Sequence, residues 1–412
     1  AKACEPPAGI ARLAGALQAN KIPCRLWDAN LEGQLWLLEQ QPEADDTWTG
    51  RAWRSRQNHL AALRDRRTYA NPGRYATAVN DLNHLLLMAG KPLQAEVGLA
   101  DYRQTDLTPV RSKDLLQAAA RPELNPFFPF FQQRLPQLLD GMTTVGISLN
   151  FLSQALCSFS LIGLIRQQHP QIRIVVGGGL VTSWLSRPDW QNPFGDLIDH
   201  LISGPGEGPL LELLGQDRSH GNSLPDYQQL PLQQYLSPGL ILPYSTASGC
   251  WWNRCSFCPE RAEGSRYLAL PIPQVLAELQ QLVQQYQPTV LHLLDNALSP
   301  ALLQGLIKQP PGAPWYGFVR FERQLTDPQF CHALKQSGCV MLKLGIESGD
   351  QAVLDRLHKG IELEMAGLIL ENLRAAGIAV YGYLLFGTPA EDLESARRTL
   401  AFVQQQHAAL TF

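Results

Sequence analysis

Charge is scarce in this sequence, and no sign of charge is in excess. Charged residues make up 17% of the 412, with 34 basic against 37 acidic and a formal net charge of −3, where about a quarter is usual for globular domains. Such an even balance gives no global electrostatic pull, so neither nucleic acid nor an anionic membrane is expected as a partner. Lysine is rare, at 8 of the 34 basic residues, a bias with no functional reading. No signal peptide opens the chain, which begins at Ala1 without a Met, as expected of a trimmed terminus. Long apolar runs are nearly absent. The uncharged stretch Gly141–Ile165 is the one to test, and Thr, Ser, Asn and Gln run through it. Its opening TTVGISLNF reads as a buried parallel strand leading into a buried helix, which excludes a membrane span. Cysteine is sparse and uneven: eight residues, three of them within positions 250–258. A secreted disulfide framework would space them differently, so a reduced cytoplasmic setting with one dedicated cluster is expected.

What is present is length enough for two or three domains, and an alternation of apolar β-rich runs with helical spacing. That alternation is the signature of parallel sheets joined by crossover helices. The first domain is expected over 1–215. It has a helix at 8–20, a strand CRLWDAN at 24–30 and a long irregular insertion around 31–140. A strand follows at 143–151, then a helix to about 169, a strand at 173–183, and a strand–turn–helix at 199–214. The insertion holds seven Arg between 51 and 74. They could face RNA or phosphate, but a solvated helix is the simpler reading. A Pro/Gln/Ser-rich linker is expected at 216–240. The second domain, 241–412, shows strands at 241–249, 289–296, 315–322, 340–348 and 379–387. Helices fall at 272–286, 299–308, 327–337, 350–376 (broken) and 391–407. With AALTF (408–412) as the start of a sixth strand, this reads as a partial (β/α)6 barrel truncated at its C-terminal end.

The sequence SGCWWNRCSFCPE puts Cys250, Cys255 and Cys258 in the loop after the first strand of that domain, spaced C-x4-C-x2-C. Three thiolates so close point to a metal or iron–sulfur site. Structural zinc wants a fourth protein ligand, for which His292 on the next strand is the nearest candidate. Three cysteines on a four-iron cluster instead leave one iron open for chemistry.

The triplet, with Phe257 before its last Cys, resembles the radical S-adenosylmethionine enzymes. LLDNALSP (293–300), FVRFE (318–322), LGIESGDQAVLDRLHKG (344–360) and YLLFGTPAED (383–392) resemble that family's later strand ends, in order. The family's commonest first spacing is C-x3-C, and this loop has one residue more. The resemblance implies that Cys250, Cys255 and Cys258 hold a [4Fe–4S] cluster and that the Phe257 backbone approaches the adenine of S-adenosylmethionine. By the same resemblance, Asp295 and Asn296 would hold the methionyl amino group. Arg320, Glu347 and Ser348 would meet its carboxylate or ribose, and Leu384 and Gly387 would cradle the adenine.

In the first domain three turns follow strands: SLNFLS with Ser148, Leu149 and Asn150; GGGLVTS with Gly177, Gly178, Gly179, Leu180 and Thr182; and GPGEG with Gly204, Gly206 and Glu207. Short Gly-rich βα turns let a large cofactor approach the backbone of a doubly wound sheet. Their order and the opening PPAGIARLAGAL resemble the Rossmann-like cobalamin-binding domain found ahead of such a barrel. Leu180 and Val181 would then lie beneath the corrin. No D-x-H-x-x-G occurs, so the lower cobalt face should receive no His from that motif.

The resemblance as a whole implies a cobalamin-dependent radical enzyme that methylates an unactivated carbon through a 5′-deoxyadenosyl radical and methylcobalamin. Its partners would be a small-molecule or peptide substrate and an electron donor such as flavodoxin or ferredoxin, with the enzyme a monomer. Two alternatives stay open. One is a cobalamin-dependent radical cyclisation or rearrangement, and the other is a non-catalytic metal- or cobalamin-binding protein.

Overall fold

The alternation of apolar runs and amphipathic helices resolves, in the computed structural model, into two units, residues 1–240 and 241–412. The structure describes residues 2–43, 46–218 and 223–410.

The first unit opens with helix α1 (Ala8–Ala19), followed by α2 (Ala29–Glu39), α3 (Thr47–Leu63) and α4 (Pro72–Gly90). A small antiparallel ribbon, β1 (Ala95–Val97) with β2 (Tyr102–Gln104), leads to α5 (Ser112–Ala120) and α6 (Phe128–Leu139). The α/β part then runs β3 (Thr144–Ser148), α7 (Leu152–Gln168), β4 (Arg173–Gly177), α8 (Gly179–Leu185), β5 (His200–Leu201) and α9 (Glu207–Leu213). Its strands pair in parallel in the order β3-β4-β5. The uncharged stretch becomes β3 and α7, and α7 is buried from Phe159 to Ile165. Among the described residues no helix is long and apolar enough to cross a membrane.

Four expectations for this unit need correction. Residues 24–30 form no strand. Asp28 accepts from the backbone N–H of Asn30 (3.1 Å) and Leu31 (3.0 Å) and starts α2, so a helix cap overrides a short apolar run. The insertion is not irregular but largely helical. Asp46 caps α3 and Asn71 caps α4 with Pro72 behind it, and Leu60, Leu63, Leu82, Leu85 and Leu86 bury one shared face. The expected strand 173–183 ends at Gly177, because Gly178 (φ +107°) turns the chain into α8. The expected linker is a strap rather than a tether. Asp226 N–H donates to Ala11 O (2.9 Å), Leu236 N–H to Ala3 O (2.8 Å) and the Tyr235 hydroxyl to Asp28 (2.8 Å). Arg64, in the Arg-rich run, donates to Gln234 O at 2.6 Å.

The second unit comprises β6 (Ile241–Tyr244), β7 (Ala247–Ser248), α10 (Pro259–Ala262), β8 (Leu268–Ala269), α11 (Ile272–Tyr286), β9 (Val290–Leu293) and α12 (Pro300–Lys308). It continues with β10 (Trp315–Val319), α13 (Pro328–Gln336), β11 (Cys339–Glu347), α14 (Gln351–Arg356), α15 (Leu363–Ala375), β12 (Ala379–Leu384) and α16 (Leu393–Gln405). Five strands pair in parallel in the order β12-β11-β10-β9-β6. Alternate strand residues, among them Leu291, Leu293, Trp315, Val319, Leu342, Leu344 and Val380, are buried, the period-two pattern of a sheet covered by helices. Residues 408–410 of the expected sixth strand form no strand, and 411–412 lie outside the described residues. The described sheet is therefore five-stranded.

The strap supplies a test. A Cβ on Gly15 of α1 would fall on the Leu224 carbonyl, an overpacking that costs about 1–3 kcal/mol. Gly15→Ala is expected to lower urea stability by that amount and to speed proteolysis within 223–240. Unchanged stability and protection would mean that the strap does not depend on this contact.

Candidate functional site

The parallel strands of the second unit end on one side, and the cysteine loop is built there from the first strand outward. After β6 the chain is caught by Asp295, just past β9. Its carboxylate accepts the backbone N–H of Thr246 (2.7 Å) and of Ala247 (3.3 Å), and the Thr246 hydroxyl as well. Burial pushes the Asp295 carboxyl up, and the hydrogen bonds from Thr246 and Ala247 pull it part of the way back. The short ribbon β7–β8 closes the base of the loop. Gly249 is left-handed (φ +73°), and a Cβ there would strike the Arg266 carbonyl, so glycine is required before Cys250.

All three cysteines are free thiols; Cys255 is buried, and Cys250 and Cys258 are half-buried. Burial pushes the Cys258 thiol up, the backbone N–H groups of Glu260 and Arg261 oppose that, and the charges of Cys255 and Cys250 push it further up.

A second segment holds the loop from the far side. Three successive carbonyls, Leu357, His358 and Lys359, accept from Ser256 N–H (2.9 Å), the Trp252 indole (3.4 Å) and Arg320 Nη2 (2.5 Å). His358 and Gly360 are both left-handed, and a Cβ on Gly360 would run into the Trp252 ring. Arg320, just past β10 and 5% exposed, lies 4.0 Å from the Trp252 ring centroid. Its Nη1 is 3.9 Å from Cys255 Sγ and its Nε 3.5 Å from Glu322. Lys359 Nζ donates to Glu347 Oε1 at 2.7 Å and lies 5.8 Å from the Phe257 ring. Glu347 itself has φ +63°, at a register shift where β11 ends, a strained conformation of the kind that clusters at functional sites.

Asp295, Arg320, Glu347 and Phe257 therefore gather around the cysteine loop. Asn296 joins them, donating to Glu260 (2.7 Å) and toward Gly249 O (3.5 Å). Leu384 ends β12, and the next residue's N–H donates to Glu347 O at 2.9 Å. Gly387 is exposed, with φ +75° and open space where a Cβ would stand. Ser348 is elsewhere. It is fully buried, and its hydroxyl is spent on Thr399 (3.1 Å) and Asp350 N–H (3.2 Å), which leaves it no face for a ribose or carboxylate. His292 is engaged with Lys343 (2.9 Å) and stacked on Tyr316. Sequence reasoning missed Thr246, Trp252, Lys359 and Gly360. Only the doubled Trp and the His-Lys-Gly turn marked them.

In the first unit the three expected turns form one hydrogen-bonded set. Leu149 N–H donates to Gly177 O (2.7 Å), Gly179 N–H to Asn150 Oδ1 (2.9 Å), and Asn150 Nδ2 to the Ser148 hydroxyl (3.0 Å). Leu180 N–H donates to Leu149 O at 3.2 Å. The Thr182 hydroxyl donates to Gly178 O (3.1 Å) and accepts Gly204 N–H (2.9 Å). A Cβ on Gly178 would stand 2.5 Å from Leu149 O, so the close approach of the first two turns requires glycine there. Gly206 precedes α9, and Glu207 turns to Arg12 at 3.8 Å. Leu180 is half-buried, but Val181 is fully buried in the core and cannot lie open beneath a corrin.

Residues 244–403 match the model of the Radical SAM superfamily, so the second unit carries a radical S-adenosylmethionine domain. That family implies a [4Fe–4S] cluster and S-adenosylmethionine. Over 192 residues, 44% of this chain, the sequence is 25% identical to an uncharacterized methyltransferase of Pyrococcus horikoshii, of which the match covers 41%. The matched segments span about two fifths of the length of the curated relatives. Among solved structures, the methyltransferase TsrM of Kitasatospora setae, with tryptophan substrate and an S-adenosylmethionine analogue bound, superimposes with a TM-score of 0.55 at 19% identity, covering 71% of this chain and 68% of that one. The cobalamin-dependent radical enzyme OxsB, with aqua-cobalamin and S-adenosylmethionine bound, gives a TM-score of 0.54 at 19% identity, covering 66% of this chain and 45% of that one. At these identities the likeness is one of fold.

The residues present fit the cluster. Three free thiols share one loop, a buried guanidinium faces them, and the Trp251 indole N–H is buried without a hydrogen-bond partner. Among the described residues no three His, Cys, Asp or Glu stand close enough to share a single ion. A four-iron cluster, which takes one thiolate on each of three irons, does not need that.

Asp295→Ala removes both backbone anchors of the loop. It is expected to lower the stability of the metal-free protein in urea by about 1–3 kcal/mol and to reduce the iron bound after reconstitution. An unchanged metal-free stability would show that Asp295 serves a ligand and does not brace the loop.

Proposed function

We propose that this protein is a cobalamin-dependent radical S-adenosylmethionine enzyme that methylates an unactivated carbon of a small-molecule or peptide substrate. The observation that carries the reading is the loop with three free cysteines, fixed at the strand ends of a radical S-adenosylmethionine domain, in a chain whose other unit offers three interlocked βα turns. The fold likeness to OxsB and TsrM, and the methyltransferase name of the Pyrococcus relative, support the choice of cofactors and of reaction class.

Cys250, Cys255 and Cys258 would hold the cluster. When bound, the cluster supplies one electron for reductive cleavage of S-adenosylmethionine, and cobalamin supplies a methyl group. The chain's own residues would do the orienting. Phe257, Asn296, Leu384 and Gly387 would receive the adenine and methionyl ends of S-adenosylmethionine. The Glu347–Lys359 pair would present fixed charge to its polar groups. In the first unit, Ser148, Asn150, Gly177, Gly178, Gly179, Leu180, Thr182 and Gly204 would form the backbone-lined seat for cobalamin, with Glu207 held back by Arg12. A flavodoxin- or ferredoxin-type donor would deliver the electron.

The test is anaerobic reconstitution with iron, sulfide and hydroxocobalamin, followed by desalting and a visible spectrum. Both iron–sulfur and corrin absorption should remain. A Cys250/Cys255/Cys258→Ala variant should lose the first and keep the second, and Gly178→Val should do the reverse. Addition of S-adenosylmethionine and a reductant should then yield 5′-deoxyadenosine only in cluster-bearing protein. A cluster without retained corrin would sink the methylation scheme, and a colourless zinc-bound protein would sink the enzyme.

A further inference from the structure

Arg320 carries more contacts than holding a loop requires. A buried guanidinium is strongly destabilised unless charge and hydrogen bonds surround it. Here two of its three nitrogens are hydrogen-bonded, and the third, Nε, is buried beside a carboxylate without a hydrogen bond of its own. Nη2 donates to Lys359 O (2.5 Å), Nη1 points at Cys255 Sγ (3.9 Å), Nε faces Glu322 (3.5 Å), and the flat face lies 4.0 Å from the Trp252 centroid. Burial pulls its pKa down, while Cys255, Glu322 and Cys250 hold it up. Trp252 is itself pinned by His358 O and by the bare α-carbon of Gly360. It lies within the four residues between Cys250 and Cys255. With Nη1 and Nη2 engaged, Nε turned toward Glu322 and 5% of its surface exposed, Arg320 is held against Cys255.

We propose that Arg320, clamped by Trp252, is a positioning residue that donates a charge-assisted hydrogen bond to the Cys255 thiolate and thereby raises the potential at which the cluster accepts its electron. This rests on the reading that the three cysteines hold a [4Fe–4S] cluster. One electron enters from an external donor, and no bond forms or breaks. The added negative charge falls on an already anionic cluster, where a fixed cation and a hydrogen bond to sulfur stabilise the reduced state. A planar, permanently charged guanidinium can both stack on the indole and reach the thiolate, and a lysine ammonium cannot do both. Glu322 works against it from the other edge, so neutralising Glu322 should act in the opposite direction.

The experiment is a dithionite potentiometric titration of the reconstituted full chain, without S-adenosylmethionine, read by the electron paramagnetic resonance signal of the reduced cluster. Arg320→Gln should disfavour reduction about tenfold, a midpoint about 59 mV more negative for a one-electron couple. Arg320→Lys should fall between that variant and wild type, Trp252→Leu should shift in the same direction as Arg320→Gln, and Glu322→Gln should shift to less negative values. If Arg320→Gln does not load a cluster, the sign of the Glu322→Gln shift decides. Unchanged midpoints in loaded variants would overturn the proposal, all the more if Arg320→Gln weakens S-adenosylmethionine binding instead. A wild-type protein with no cluster signal would overturn the cysteine reading itself, and this inference with it.

Discussion

The cysteine loop at the strand ends of the second unit depends on three adjacent carbonyls. A loop carrying three cysteines is costly to order, about 1–2 kcal/mol per residue in backbone entropy alone. It makes little regular structure of its own to offset this. Leu357, His358 and Lys359 each accept a hydrogen bond, from Ser256, Trp252 and Arg320 in turn. Two of those donors lie in the loop and the third touches its buried cysteine. The left-handed residues His358 and Gly360 let consecutive carbonyls be used in this way. Asp295 does the same job at the other end of the loop through Thr246 and Ala247. The cysteines are thus placed by backbone polar groups that would otherwise need partners themselves.

Strongly periodic segments were legible in the sequence. The helix expected at 272–286 is α11, residue for residue, because Val275, Leu276, Leu279 and Leu282 fall on one face and Pro sits at its start. The five strands of the second unit were legible for the same reason, since their apolar residues alternate. Boundaries failed where local capping competes with periodicity. Asp28 ended a would-be strand, and Gly178 ended another early. The helical insertion was hidden by its many Arg and Gln residues, although Asp46 and Asn71-Pro72 marked its starts.

For the site, the ligands were legible, and Asp295 and Arg320 were named as contacts of S-adenosylmethionine, but their bracing of the loop was not legible. Cysteine spacing is a local property, so Cys250, Cys255 and Cys258 could be read directly. Arg320 lies 65 positions from Cys255 and Asp295 lies 49 from Thr246, so which atoms of the loop they hold could not be read from spacing. Ser348 illustrates the converse. It sits next to Glu347 in a strand-end segment, yet a one-residue step at the end of β11 sends it into the core against Thr399. In the first unit, the turns could be named from their glycines. That they bond to one another through Asn150 and Thr182 could not.

The length of the cysteine loop takes on meaning in this setting. An additional residue between the first two cysteines gains nothing for metal binding, since the thiolates alone meet the irons. The four residues between those cysteines include an indole that reaches Gly360, and that indole forms one wall of the slot in which Arg320 lies. Cation–π contact of this kind is strongest when water is excluded, and Arg320 is buried. Loop length, bare glycine, indole and guanidinium therefore form one chain of dependence that ends on Cys255. A shorter loop with the same three cysteines would have to find another way to place charge there.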